Sequence, residues 1–274
     1  DERTTLDFCP SASLKNDIGY MDSSFELENV AEFELLEVNH RIQVDDEIMS
    51  FVSFNTATNM LTVKRGCFDT VPQKHDAGSK IFGWDNYSGI DDIEYLSGEV
   101  LSLKALTLTG SDVLELSEAT AHSLTCSARA IRPYAPGNFK INNQYFTLGI
   151  TGPISLSWAS RNRLQQTGGE PLGFQDGSVT PEEGTTYSVY AYNNTTGELK
   201  YSATDITTPT HVIGVTALLG ISTVRLEVFS VRDGHSSYQA QRHVMEWSSG
   251  ENLMTFDGAY APDNGNAVVL QFLE

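Results

Sequence analysis

Between residues 139 and 247 seven short runs rich in apolar, β-branched and aromatic side chains follow one another. Each is bounded by a turn signal, and that rhythm constrains the fold more than any other feature of the chain. The runs are residues 139–141, 150–158, 186–192, 199–206, 211–217, 224–231 and 239–247. Alternation of apolar and polar residues over such lengths predicts half-buried β-strands. About seven strands in roughly 110 residues is the spacing of an immunoglobulin-like sandwich. Trp158 is expected in its core, because a lone Trp in an alternating strand is normally a packing residue. Asn193-Asn194-Thr195-Thr196-Gly197 is the clearest hairpin turn.

A boundary precedes this region at Arg132-Pro133-Tyr134-Ala135-Pro136-Gly137. Two prolines and a glycine so close together cannot continue a helix or a central strand. Upstream, residues 47–54 and 60–65 flank the polar loop Asn55-Thr56-Ala57-Thr58-Asn59 and read as a hairpin. With residues 80–84 they predict a small sheet or barrel around residues 35–90. Residues 99–109, 112–116 and 123–131 continue the β character. A helix competes only over residues 114–128, where Ser and Thr weaken it. The predicted class is all-β. The predicted division is an unassigned extension over 1–34, a small β domain over 35–132 and a linker over 133–138. The sandwich follows over 139–248, then a C-terminal extension over 249–274 whose apolar strand, residues 267–272, would pair with another sheet or chain.

Within the small domain, Arg65-Gly66-Cys67-Phe68-Asp69-Thr70-Val71-Pro72 is followed closely by His75, Ala77 and Gly78. Gly66 ends a strand. Asp69 or Thr70 can cap one helical turn that accepts Pro72, and Gly78 supplies a left-handed exit into a strand over 79–84. On that reading His75 is a helix-end residue facing terminal carbonyls.

Charge narrows the function. The 274 residues hold 36 acids and 17 bases, a net charge of −19, with acids concentrated in residues 1–47. A nucleic-acid surface would need clustered Lys and Arg, so a nucleic-acid partner is not expected. The acidic N-terminal part reads as a solvated face. No apolar run approaches the ~20 residues of a membrane-spanning helix, and no leader-like pattern stands at the start. Cys9, Cys67 and Cys126 are odd in number and far apart, which predicts buried, unpaired thiols in a protein made in a cytoplasm.

Catalytic signatures are missing. There is no G-x-G-x-x-G loop, P-loop, G-x-S-x-G elbow or H-E-x-x-H pair. The histidines at 40, 75, 122, 211, 235 and 243 lack metal-ligand spacing. No metal, cofactor or catalytic residue is therefore expected. Asp45-Asp46-Glu47 and Asp91-Asp92 are candidate paired carboxylates for glycoside hydrolysis, but neighbours on a strand face opposite ways and turn acids explain them better. His75 with Asp76 is a dyad only in name. Asn193 and Asn194 each match a glycosylation sequon, here read as hairpin chemistry. The turn Arg232, Asp233, Gly234, His235 ends a strand and is the candidate contact loop.

Two segments resemble tail-tip (hub or baseplate-like) proteins of long-tailed bacteriophages. One is the stretch from Val44 through Gly78, above all Arg65-Gly66-Cys67-Phe68-Asp69-Thr70-Val71-Pro72. The other is Arg129-Ala130-Ile131-Arg132-Pro133-Tyr134-Ala135-Pro136-Gly137-Asn138, similar to an Arg-x-x-Arg-Pro-Tyr-x-Pro linker that precedes a fibronectin-type-III-like sandwich in that family. Leu156-Ser157-Trp158, Arg161-Asn162-Arg163, Glu227, residues 230–234 and Trp247 are similar to parts of that sandwich. The resemblance covers roughly residues 40–247 and supplies no catalytic residues. It implies a non-enzymatic structural component of the virion tail, synthesised in the host cytoplasm. It also implies contacts to other tail proteins, a homotrimer about the tail axis, and a part in host attachment through a receptor or glycan. The alternative is a phage-borne carbohydrate-active depolymerase or carbohydrate-binding module, for which eleven tyrosines and three tryptophans could stack sugars.

Overall fold

The computed structural model describes residues 8–89, 91–166 and 169–250, and over them the chain is all-β. The apolar strand expected over 267–272 lies outside the described residues.

The first unit is a closed six-stranded barrel. Its strands are β1 (Ser11–Leu14), β2 (Ser24–Ala31), β3 (Arg41–Val44), β4 (Glu47–Asn55), β5 (Met60–Lys64) and β6 (Lys80–Gly83). They pair antiparallel in the order β1-β2-β5-β4-β3-β6, and β6 closes the ring by pairing with both β1 and β3. Closure leaves no open edge along the ring. Inward positions follow the period of two: Leu14, Leu27, Ile42, Val44, Met49, Leu61 and Ile81 are almost wholly buried, with Phe33 plugging one end from a 3-10 turn. Residues 11–31, placed by sequence in an unassigned extension, thus supply two barrel strands. The acids there hid the pattern: Phe25 and Leu27 face the core while Glu26 and Glu28 occupy the outer face between them.

A two-stranded ribbon follows, β7 (Val100–Lys104) against β8 (Ala121–Thr125). Residues 121–125, inside the segment where a helix competed, are therefore strand. Val100, Leu103, Leu116 and Leu124 of this arm are exposed.

The sandwich comprises β9 (Gly137–Ile141), β10 (Gly149–Thr151), β11 (Ile154–Ala159), β12 (Thr186–Asn193), β13 (Leu199–Ile206), β14 (Thr210–Ile213), β15 (Thr223–Arg232), β16 (His235–Ser236) and β17 (Gln241–Ser248). One sheet has the order β14-β11-β9 and the other β10-β17-β15-β12-β13, with β16 folded back on β15. This is the connectivity of a fibronectin-type-III-like sandwich. The run expected over 150–158 is two strands: Gly152, at φ 85°, and Pro153 carry the chain from β10 in one sheet to β11 in the other. The run expected over 211–217 ends at Ile213 and continues as a 3-10 turn. Trp158 is buried in the core against Tyr187, as its strand position predicts.

The stretch expected as a linker is packed. Pro133, Ala135, Pro136 and Gly137 are buried, and Gly137 already belongs to β9. It joins the two units without a free tether.

Candidate functional site at the domain joint

Arg65 stands just past β5, and the chain then turns at Gly66 with φ 56°. A Cβ there would lie 2.5 Å from Pro72 Cδ, so only glycine fits both the angle and the space. Residues 66–78 form no helix, contrary to the capped turn expected from sequence. The reason is competition for backbone donors. The N–H groups of Gly66 and Gln73 donate to the two oxygens of Glu47 (2.8 and 2.9 Å), and Cys67 N–H donates to Ile48 O (2.8 Å). Thr70 caps nothing helical; its hydroxyl donates to Cys67 O and accepts from Ile48 N–H.

Glu47 is the hub of this loop. Its side chain is fully buried, and Arg65 grips it through Nε and Nη2, both at 2.8 Å. The same guanidinium donates to the carbonyls of Gly19, Asp22 and Gln73, so its donors are spent. His75 donates from Nε2 to Glu47 (2.9 Å) and from Nδ1 to Asp45 (2.7 Å). A ring with carboxylates on both nitrogens is an imidazolium, and the four charges cancel. Burial pushes Glu47 upward, but the bonds from Arg65 and His75 outweigh it and hold the carboxyl below its ordinary value. Burial likewise works against the His75 cation, and the bonds to Glu47 and Asp45 win, raising its pKa. Two sequence readings are therefore corrected. Glu47 is a buried structural anion and not a turn acid; His75 faces Asp45 and Glu47, neither a helix end nor Asp76.

This loop docks on the sandwich. Phe174 N–H donates to Arg65 O (2.7 Å), and Val71 N–H donates to the Gln239 side chain, whose amide in turn donates to Asp46 O. Tyr20 of the barrel unit stacks on Phe146 at 4.2 Å. Asp69 receives Arg129 through Nε and Nη2. The two segments that carry the phage resemblance thus meet side chain to side chain at the joint.

Beyond the joint, the Arg161 guanidinium donates to the carbonyls of Ser160, Gly173, Phe174, Asp176 and Gly177 with no carboxylate in the set. Burial lowers its pKa. Glu182 is shared by Arg163 (2.7 Å) and Arg232 (2.6 Å), and these bonds, Arg163 first, hold it below the ordinary carboxylate range. The candidate contact loop is thereby divided: Arg232 is tied to Glu182, Asp233 and Gly234 form the left-handed turn, and His235 begins β16.

Between barrel and sandwich lies a cleft of about 470 Å³ whose walls include Arg41, Phe68, Trp84, Arg129, Tyr134 and Arg163. Arg41 sits 4.4 Å over the Trp84 ring and 5.8 Å from that of Phe68, and is anchored from below by Asp85. Tyr134 is pushed up to about 12, chiefly by burial and then by the charge of Asp69. Sequence reasoning did not single out Arg41 and Trp84, which are 43 positions apart and share no motif. Tyr134 was visible as part of the linker motif. Asp91, the other acid considered, accepts from Tyr95 OH and the Ile93 N–H. Among the described residues no group of three or more His, Cys, Asp and Glu is placed to hold a metal ion.

No family model matches the chain, and no curated protein matches it. A solved structure similar to it is that of the chicken CNTN1 FN1-FN3 domains, at 8% identity and a TM-score of 0.28. The match covers 88% of this chain and spans 66% of the length of that one. Such a likeness carries no argument about function. The assignment of the sandwich rests on its strand order.

Proposed function

We propose that this chain is a structural component of a long-tailed bacteriophage tail tip, placed at the distal tail and contributing to assembly and host attachment, without catalytic activity. One observation carries the reading: the two segments that resemble tail-tip proteins are the two halves of one joint, closed by Arg129 on Asp69. Neither segment does visible chemistry; together they lock a barrel to a sandwich. A rigid coupling of domains is what an assembly part needs. The ribbon β7–β8 adds support. An isolated two-stranded ribbon is marginal in water, and this one exposes Val100, Leu103 and Leu124 with both outer edges unpaired among the described residues. Such an arm suits burial between neighbouring copies in a closed ring of three, or against other tail proteins. Glu47, Glu170 and Glu182 each sit below the ordinary carboxylate range, the opposite of a general acid.

Imaging intact particles with an antibody to this chain tests the reading. Label at the distal end of the tail is expected; label elsewhere on the particle, or none, would overturn it. Cleavage of a bacterial surface polysaccharide by the purified chain, abolished by one Asp or Glu substitution, would overturn the non-enzymatic part.

A further inference from the structure

The cleft between barrel and sandwich has the marks of a binding site that the joint itself does not require. The carboxylates that hold its arginines occupy one edge of each guanidinium. Asp85 takes Nε and Nη2 of Arg41, and Asp69 takes Nε and Nη2 of Arg129. Nη1 of both makes no hydrogen bond among the described residues. The Tyr134 hydroxyl makes none either, and with its pKa near 12 it remains a donor at any physiological pH. Trp84 Nε1 is buried without an acceptor. A buried donor left unmatched is costly, and native proteins rarely keep one without a reason. Among the described residues, three donors without acceptors, the two Nη1 atoms and the Tyr134 hydroxyl, belong to side chains that line one cleft, and the buried Trp84 Nε1 lies in its wall. Its walls are aromatic, and its volume lies within the ~300–1,000 Å³ usual for small-ligand sites. Asp85 and Asp69 make the arrangement rigid before any ligand arrives, which lowers the ordering cost of binding.

We propose that this cleft binds an acidic sugar unit of a polysaccharide, its carboxylate on the free guanidinium nitrogens of Arg41 and Arg129. Sugar hydroxyls accept from Tyr134, and the ring lies along the aromatic wall. The chemistry selects this class. An unmatched set of donors needs an acceptor-rich ligand, two guanidinium edges need an anion, and the aromatic wall needs a flat apolar face. The chain's net charge of −19 repels polyanions elsewhere, so recognition depends on this locally cationic patch and weakens with salt. The inference deepens the host-attachment part of the proposed function and rests on it only for its biological meaning.

Calorimetric titration of the full chain with tri-galacturonate and with sialyllactose tests it, using lactose as the neutral control. At least one acidic probe should bind, roughly tenfold or more tighter than lactose, since a charged hydrogen bond is worth that much. Arg41→Gln should weaken binding about tenfold. Tyr134→Phe, which deletes only a hydroxyl with no internal partner, should weaken it several-fold at unchanged thermal stability. No binding of either probe, equal binding of lactose, or affinity indifferent to both variants overturns the proposal. So does equal affinity for a single-stranded oligonucleotide, which would mark an unselective anion cleft. Failure here with antibody label still at the tail tip leaves the structural role standing. Binding here with no label on the tail would sink that role alone.

Discussion

Gly137 lies directly beneath the guanidinium of Arg161: a Cβ on residue 137 would stand 2.0 Å from Nη2. The first residue of the sandwich is thus a glycine because an arginine side chain occupies the space its side chain would take. That arginine cannot simply swing away, since it holds the loop carbonyls of Gly173, Asp176 and Gly177. Gly137→Ala should therefore destabilise the sandwich by about 2–3 kcal/mol, the upper part of the overpacking range. Urea denaturation of the two proteins measures it; a change below about 0.5 kcal/mol would mean the loop yields without cost.

Glu47→Ala should be the most damaging single change in the barrel. It strands the buried Arg65 cation and frees the Gly66 and Gln73 N–H groups together. Removing one partner of a buried pair costs roughly 3–5 kcal/mol. A shifted denaturation midpoint, with loss of the barrel's slow-exchanging amides, is the expected readout. Stability within about 1 kcal/mol of the parent would contradict the hub role.

The same cluster sets a pH window. Glu47 has a lowered pKa in the folded chain, so its contribution is present above its ordinary value of 4.5 and is lost as pH falls through the lowered one. His75 is raised, so its contribution is full below 6.5 and is lost as pH rises through the raised value. Stability should peak between these limits. His75→Gln should flatten the alkaline limb and shrink, without abolishing, the acid limb, because Arg65 still holds Glu47. Midpoints of denaturation across pH, parent against variant, would show it.

Arg129→Ala removes the pair with Asp69 and the guanidinium stacked 4.2 Å over Tyr238. Arg129 is partly exposed, so solvent screening limits the loss to about 1 kcal/mol. The loss should appear at the joint and not in either core. Limited proteolysis should cut faster within residues 126–137 while both units keep their melting behaviour; uniform protection would argue against the coupling.

The three thiols should react unequally. All are unpaired; Cys67 is buried, while Cys9 and Cys126 are half-exposed rather than buried as their sequence suggested. Cys67 is pushed up to about 12, first by burial and then by Glu47. A thiol reagent at pH 8 should label two sites in the folded chain and the third only on unfolding. Rapid labelling of all three would show that the loop over Cys67 opens freely.

Local pattern determined much of this protein by itself. Strands β12, β13, β15 and β17 were legible because one buried face imposes a period of two on side chains, and turns such as Asn193–Gly197 need residues that tolerate φ above zero. The burial of Trp158 followed from an equally local rule. The tertiary structure alone decided the rest. Strands β1 and β2 joined the barrel through partners 34 to 71 positions away in β5 and β6, so their short, acid-interrupted runs looked unassigned. The loop after Arg65 had the residues of a capped helix, yet Glu47, distant in sequence, took the backbone donors a helix would have used. Arg41, Trp84 and Tyr134 share a cleft only because barrel and sandwich lock at one angle. Periodicity reports which face is buried; it carries no information about which distant side chain a buried charge or an open donor will meet.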